Sequence, residues 1–170
     1  MEEGAGHSLA QTMSIDLHAS QEQVWNFVTQ EDNWTAIGGG ENFGLTLMNK
    51  SKRVETGTKF VQKEMVGSSF SVVHGTFIYT ERPKVAVWRG YATYKLFDII
   101  TITLQEGGTY SIEKTKTGST FSHTIYVDFP DTIFGKLLRW YMCDIMRLDI
   151  ALKNHNILEM ETLKEKLNEK

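Results

Sequence analysis

The sequence predicts an α+β domain in which a curved antiparallel sheet of seven strands wraps around one long C-terminal helix. Three observations carry this expectation. Residues 43–129 are rich in Val, Ile, Thr, Phe and Tyr, in short runs separated by turn residues, as in a meander of strands. After Pro130 no proline follows and Gly135 is the single glycine, so the remaining chain can form one unbroken helix. Before the meander, one alternating segment is followed by two brief helical patterns.

The first strand is read from Met13, Ile15 and Leu17 alternating with Ser14, Asp16 and His18. Ser20 followed by Gln23, with Val24, Trp25, Phe27 and Val28 behind, is a capping box opening a helix near Gln21. A second short helix is expected from Asp32 to Ile37, carrying Trp34 and stopped by Gly38, Gly39 and Gly40. Strand runs follow at 43–49, 58–66, 70–80, 84–92, 98–105 and 109–128, with turns at Glu55-Thr56-Gly57, Gly67-Ser68-Ser69, Glu81-Arg82-Pro83 and Gly107-Gly108. The last pair suits a tight hairpin, and Gly118-Ser119 within the final run suggests a bulge.

Asp131 can cap the terminal helix, in which Phe134, Leu138, Tyr141, Ile145, Leu148 and Leu152 form one stripe for the sheet to grip. Such a helix would be about 50 Å long, so its charged last turns would outrun the core.

A chain of 170 residues fits one domain: residues 1–11 read as a tail and 12–170 as a single domain. A net charge of −3 offers no broad positive field, so nucleic acid is not an expected partner. Cys143 is alone, which excludes an intramolecular disulfide and fits a reducing compartment. The acidic start, Glu2 and Glu3, lacks the features of a secretion signal, and no window is apolar enough to span a bilayer. A cytoplasmic monomer or homodimer is expected, without integral membrane association.

The segment from Met13 to Ser20 leading into Gln23-Val24-Trp25-Asn26-Phe27-Val28, the Trp34 segment, Glu106-Gly107-Gly108-Thr109 and the terminal helix with Ala151-Leu152-Lys153-Asn154 together resemble the START-like, pollen-allergen-like helix-grip superfamily (SRPBCC). The resemblance is closer to its polyketide cyclase/dehydrase and lipid-transport branch, and spans nearly the whole chain. It implies a cavity between helix and sheet for lipids, polyketides or other greasy compounds, in members that are enzymes and members that only bind. Fold alone does not choose among them.

Alternation places His123 with Phe121, Ile125 and Val127, and His74 with Phe70, Val72, Thr76 and Ile78. Two inward histidines could orient a polar group or act as an acid/base pair, whereas the plainer role is a neutral core histidine bonded to a neighbour. The candidate ligand-binding set is Trp34, Phe60, His74, Ile78, Trp88, Phe121, His123, Ile125, Tyr141 and Ile145, with His74 and His123 as catalytic candidates. Arg89 should face water if Trp88 faces inward. No HxH, HxxxH, GxSxG, CxxC or Walker pattern occurs, so no metal site and no cofactor is expected.

Three readings follow. The first is binding or transport of a small hydrophobic molecule in an internal cavity. The second is a cyclase/dehydratase-like enzyme using the same cavity with His74 or His123. The third is a protein-interaction module of the chaperone-activator type, which predicts a filled interior and an apolar patch outside.

Overall fold

The computed structural model of the chain describes residues 9–37, 40–96 and 100–168. The expected start of the tail, the glycines Gly38 and Gly39, and the first two positions of the 98–105 run lie outside them. Seven antiparallel strands form one sheet in the order β1-β7-β6-β5-β4-β3-β2. They are β1 Leu9–Leu17, β2 Asn42–Leu47, β3 Lys59–Val66, β4 Ser69–Glu81, β5 Val85–Leu96, β6 Ile100–Lys114 and β7 Ser119–Asp128. The meander joins neighbours in sequence, and β1 closes the order by pairing with β7, Leu9 opposite Val127 and Leu17 opposite Ser119. The first strand therefore begins at Leu9, ahead of the alternation at Met13, because β7 supplies partners that far.

Between β1 and β2 lie α1 Gln21–Val28 and α2 Glu31–Ile37. The capping box forms as expected: the Ser20 backbone N–H donates to Gln23 Oε1 at 2.9 Å, and the Gln23 N–H donates to Ser20 Oγ at 3.3 Å. Val24, Trp25 and Val28 of α1, with Trp34 and Ile37 of α2, turn into the core.

Two sheet details differ from expectation. Gly107 and Gly108 do not turn the chain; they sit inside β6, with Gly108 opposite Trp88 on β5. A Cβ on Gly108 would lie 2.7 Å from Trp88 Nε1, so the glycine is there to admit the indole. The chain instead turns before β7, where the Thr115 N–H bonds the Gly118 carbonyl at 3.0 Å. In β4, Ser69, Ser71, Val73, Gly75 and Phe77 face inward, so His74 and Ile78 lie on the outer face, contrary to the sequence reading. Both faces of this strand carry apolar residues, which left the phase open. Gly75 decides it, since a Cβ there would meet the Phe60 ring at 2.3 Å.

The terminal segment is not one helix. α3 spans Ile133–Trp140, a single π-helical turn covers Tyr141–Ile145, and α4 runs Leu148–Asn168. The break falls at Arg147, whose φ is +57°, a left-handed value that ends one helical course and starts another. This shift in phase dismembers the expected stripe: Leu138, Leu148 and Leu152 are buried and Tyr141 is half-buried, but Phe134 and Ile145 are exposed. α4 lies against β1, β3 and α2. Its buried positions are Leu148, Leu152, His155, Asn156, Glu159, Met160 and Leu163.

Candidate functional site

The face that α4 turns to the sheet is apolar at both ends and polar in the middle. An all-apolar stripe would give the cheapest core, yet His155, Asn156 and Glu159 occupy it at 4 % exposure or less. The opposing strands answer with polar residues on their inward phase. β3 alternates Phe60, Gln62, Glu64 and Val66 inward, and β6 carries Leu104 and Glu106. Cross-strand register then aligns Glu64 with Ser71 and Ser71 with Tyr94 on one face.

His155 is the hub. Its Nδ1 is 2.7 Å from Glu41 Oε2, while its Nε2 lies 3.3 Å from Glu159 Oε1 and 3.7 Å from Glu64 Oε2. Although burial opposes the charge, the carboxylates of Glu159, Glu64 and Glu41 raise its pKa to about 10, so it stays an imidazolium. Burial would raise Glu159, but the two histidines hold it well below the usual carboxylate range. Its other oxygen, Oε2, is 3.3 Å from His123 Nδ1, and Asn42 Nδ2 donates to Oε1 at 2.9 Å.

The remaining carboxyls behave oppositely. Burial raises Glu64 to about 7, tempered by His155, and Gln62 Nε2 donates to it. Burial and the neighbouring Glu64 raise Glu106 to about 8, with the Tyr94 hydroxyl donating to it at 2.9 Å. The grip therefore contains an ionised Glu159–His155 pair beside two carboxyls that titrate close to neutrality. Such arrangements are costly as mere packing, and they concentrate at functional sites.

At one side of this cluster the aromatic wall begins. Trp34, Phe121, His123 and Glu159 line a common void together with Val28, Ile37, Tyr110 and Leu163. The rings of Tyr110 and His123 are 4.6 Å apart. Two buried polar atoms of this wall, Trp34 Nε1 and His123 Nε2, have no hydrogen-bond partner among the described residues. A buried N–H is stabilised by any acceptor that reaches it, so these two atoms are the polar contacts this void presents.

The void itself is about 10 Å³, and a second one, under Met142, Met146 and Leu148, is about 20 Å³. Each holds roughly one water. The ligand-sized hollow expected from the sequence is therefore not open in this conformation. Larger depressions, of about 510 and 500 Å³, open on the outside around α1 and are predominantly polar.

Of the residues expected to form a site, the structure brings Trp34, Phe121 and His123 together, with Ile125 buried on the same face of β7. Phe60 and Trp88 are buried in a neighbouring aromatic group, their ring centroids 5.5 Å apart, and line neither void. Trp88 does face inward and Arg89 outward. His74, Ile78 and Ile145 are exposed and do not line the interior. Sequence reasoning missed Glu64, Glu106, His155 and Glu159. The available signal was polar residues at inward-phase positions between apolar ones, as in Phe60-Gln62-Glu64-Val66 and in the stretch from Leu152 to Leu163. Among the described residues, no three His, Cys, Asp or Glu side chains are placed to hold a metal ion.

No protein-family model and no curated protein matches the chain. Solved structures do. An uncharacterized protein from Rhizobium leguminosarum superposes with a TM-score of 0.67 at 13 % identity, covering 98 % of each chain. A START superfamily protein from Mycobacterium smegmatis gives 0.59 at 11 % identity, over 96 % of this chain and 99 % of that one. The di-domain ARO/CYC StfQ from the steffimycin biosynthetic pathway gives 0.63 at 11 % identity, over 95 % of this chain and 52 % of that one. At such identities the likeness is one of fold.

Proposed function

We propose that this chain, which has the START-like helix-grip fold, binds a small molecule with an apolar body and one polar group between α4 and the sheet. The body would lie against Trp34, Ile37 and Phe121, and the polar group would meet His123 and Trp34. The observation that carries this reading is the pair of buried atoms Trp34 Nε1 and His123 Nε2 on one void, unpartnered among the described residues. A guest with an oxygen there would satisfy the indole N–H and engage the imidazole. Admission needs α2 to shift. That helix has seven residues and covers the void with Trp34 and Ile37, so its displacement is what would open the space.

The test is native mass spectrometry of the protein purified from its own host, together with calorimetric titration of 2-naphthol, an apolar body with one hydroxyl. Retained mass or saturable heat is expected. His123→Gln and Trp34→Phe should each weaken binding by about tenfold, the worth of one hydrogen bond. A bare chain that also ignores 2-naphthol would sink the proposal.

A second reading, proton transfer to the same guest, draws on one specific arrangement. His123 has Nδ1 3.3 Å from Glu159 and Nε2 facing no partner among the described residues, so it could take a proton at Nε2 while Glu159 stabilises the imidazolium. Unchanged turnover of a discovered substrate by His123→Gln would exclude it. A surface-interaction reading draws on different observations, the small interior voids and the exposed apolar residues of α3.

A further inference from the structure

The strongest apolar exposure in the described chain is concentrated on α3. Ile133 is 89 % exposed, Phe134 69 %, Leu137 58 % and Trp140 52 %. Its inner side is nevertheless packed. Gly135 and Leu138 are buried beneath it, and a Cβ on Gly135 would come within 1.8 Å of the Pro130 carbonyl oxygen. The outer ridge is therefore the side of α3 opposite these buried positions. Its composition is specific: between Ile133 and Trp140 the charged residues are Lys136 and Arg139, both cationic, on a chain whose net charge is −3.

We infer that α3 is a docking surface for an anionic lipid bilayer, with Ile133, Leu137 and Trp140 entering the headgroup boundary and Lys136 and Arg139 meeting lipid phosphates. Three arguments converge. A helix that pairs Leu, Phe and Trp with cations and no acid fits a membrane interface, where the indole ring sits well and long basic side chains reach outward. The charge complements anionic lipid while the chain as a whole does not. A second copy of this chain is a poorer occupant, since a twofold pairing of α3 would gather the Lys136 and Arg139 of both copies at one interface with no acid of α3 to offset them. No helix among the described residues is long and apolar enough to cross a bilayer, so the contact is peripheral. The inference is independent of what the grip holds.

Trp140 provides the readout, because Trp25, Trp34 and Trp88 are each 4 % exposed or less. The full chain is mixed with vesicles of phosphatidylcholine, with and without phosphatidylglycerol, and followed by sedimentation and tryptophan emission. Co-sedimentation with the phosphatidylglycerol vesicles is expected, with a blue shift, quenching by brominated lipid, and weakening in high salt. Leu137→Ser with Trp140→Ser should lower vesicle affinity by at least about tenfold. Trp140→Phe should keep sedimentation and lose most of the shift. Absence of sedimentation with either vesicle overturns the inference. So does undiminished binding by the double variant, or wild-type binding without quenching, since attachment then lies elsewhere. Concentration-dependent dimers that the double variant abolishes, without vesicle binding, would assign the face to a second copy. Quenching is measured on the wild-type chain, so the test holds whether or not the variants fold.

Discussion

Replacing Glu106 by Gln should make the protein less sensitive to alkali. Glu106 is 2 % exposed, its pKa raised to about 8 by burial and by Glu64, and it accepts a bond from Tyr94. An unfolded chain would release that proton near the ordinary value of 4.5. Between pH 4.5 and about 8 the native state thus holds a proton the unfolded state has lost, and stability falls as pH rises. At about 1.4 kcal/mol per pH unit, the move from 4.5 to about 8 amounts to about 5 kcal/mol by pH 9. Glu64 is coupled to the same loss, so about 2 kcal/mol is a conservative share for Glu106 alone. Glutamine keeps the shape and can still accept from Tyr94, but has no proton to lose. Urea unfolding of both proteins from pH 5 to 9.5 provides the assay. The curves should diverge as pH rises, with the variant more stable by at least about 2 kcal/mol at pH 9 relative to their difference at pH 5. Parallel curves would refute the reasoning, because Glu106 would then ionise as it does in water.

Other perturbations test the same architecture. His155, with its pKa raised to about 10, contributes stability that is complete below pH 6.5 and lost as pH approaches 10; His155→Gln should cost about 3–5 kcal/mol at pH 6 by removing the imidazolium that faces Glu159 and leaving that carboxylate only His123 and Asn42 among the described residues, read by urea unfolding. A variant with wild-type stability would mean the imidazolium does not hold the cluster. Gly108→Ala, which sets a methyl 2.7 Å from both Trp88 Nε1 and the Thr124 carbonyl, should lower stability by about 1–3 kcal/mol with a fall in the thermal midpoint. An unchanged midpoint would restore the hairpin expected at that position. Trp34→Phe removes a buried N–H that has no acceptor among the described residues, so it should change stability by less than about 1 kcal/mol while still weakening the guest. A large loss of stability with unaltered binding would make Trp34 plain core.

Local signals in the chain were enough for the order of elements. Ser20 and Gln23 can form a capping box wherever they fall, and the α1 helix starts where they place it. Runs of β-branched and aromatic residues announced six strands of the meander, because pleated, half-buried surface favours them locally. Glycine was ambiguous for a physical reason: it serves both where the backbone turns and where a neighbour comes close. Gly107 and Gly108 look like a turn in sequence and act as space for Tyr126 and Trp88, which are distant in the chain. Gly118, read as a bulge, closes the turn before β7.

The site was half legible. His123 was visible because its neighbours Phe121, Ile125 and Val127 alternate without competition, whereas β4 is apolar on both faces and only Gly75 beneath Phe60 turns His74 outward. The sequence by itself determined the fold class, since periodicity, caps and breakers act over a few residues. The tertiary structure alone decided the breaking of the terminal helix at Arg147, and with it which side of α4 meets the sheet. That rotation buries His155 and Glu159 against Glu64 and leaves α3 facing outward. Charges far apart in the chain acquire their protonation states only when a third element removes their water, and no local pattern records which element that will be.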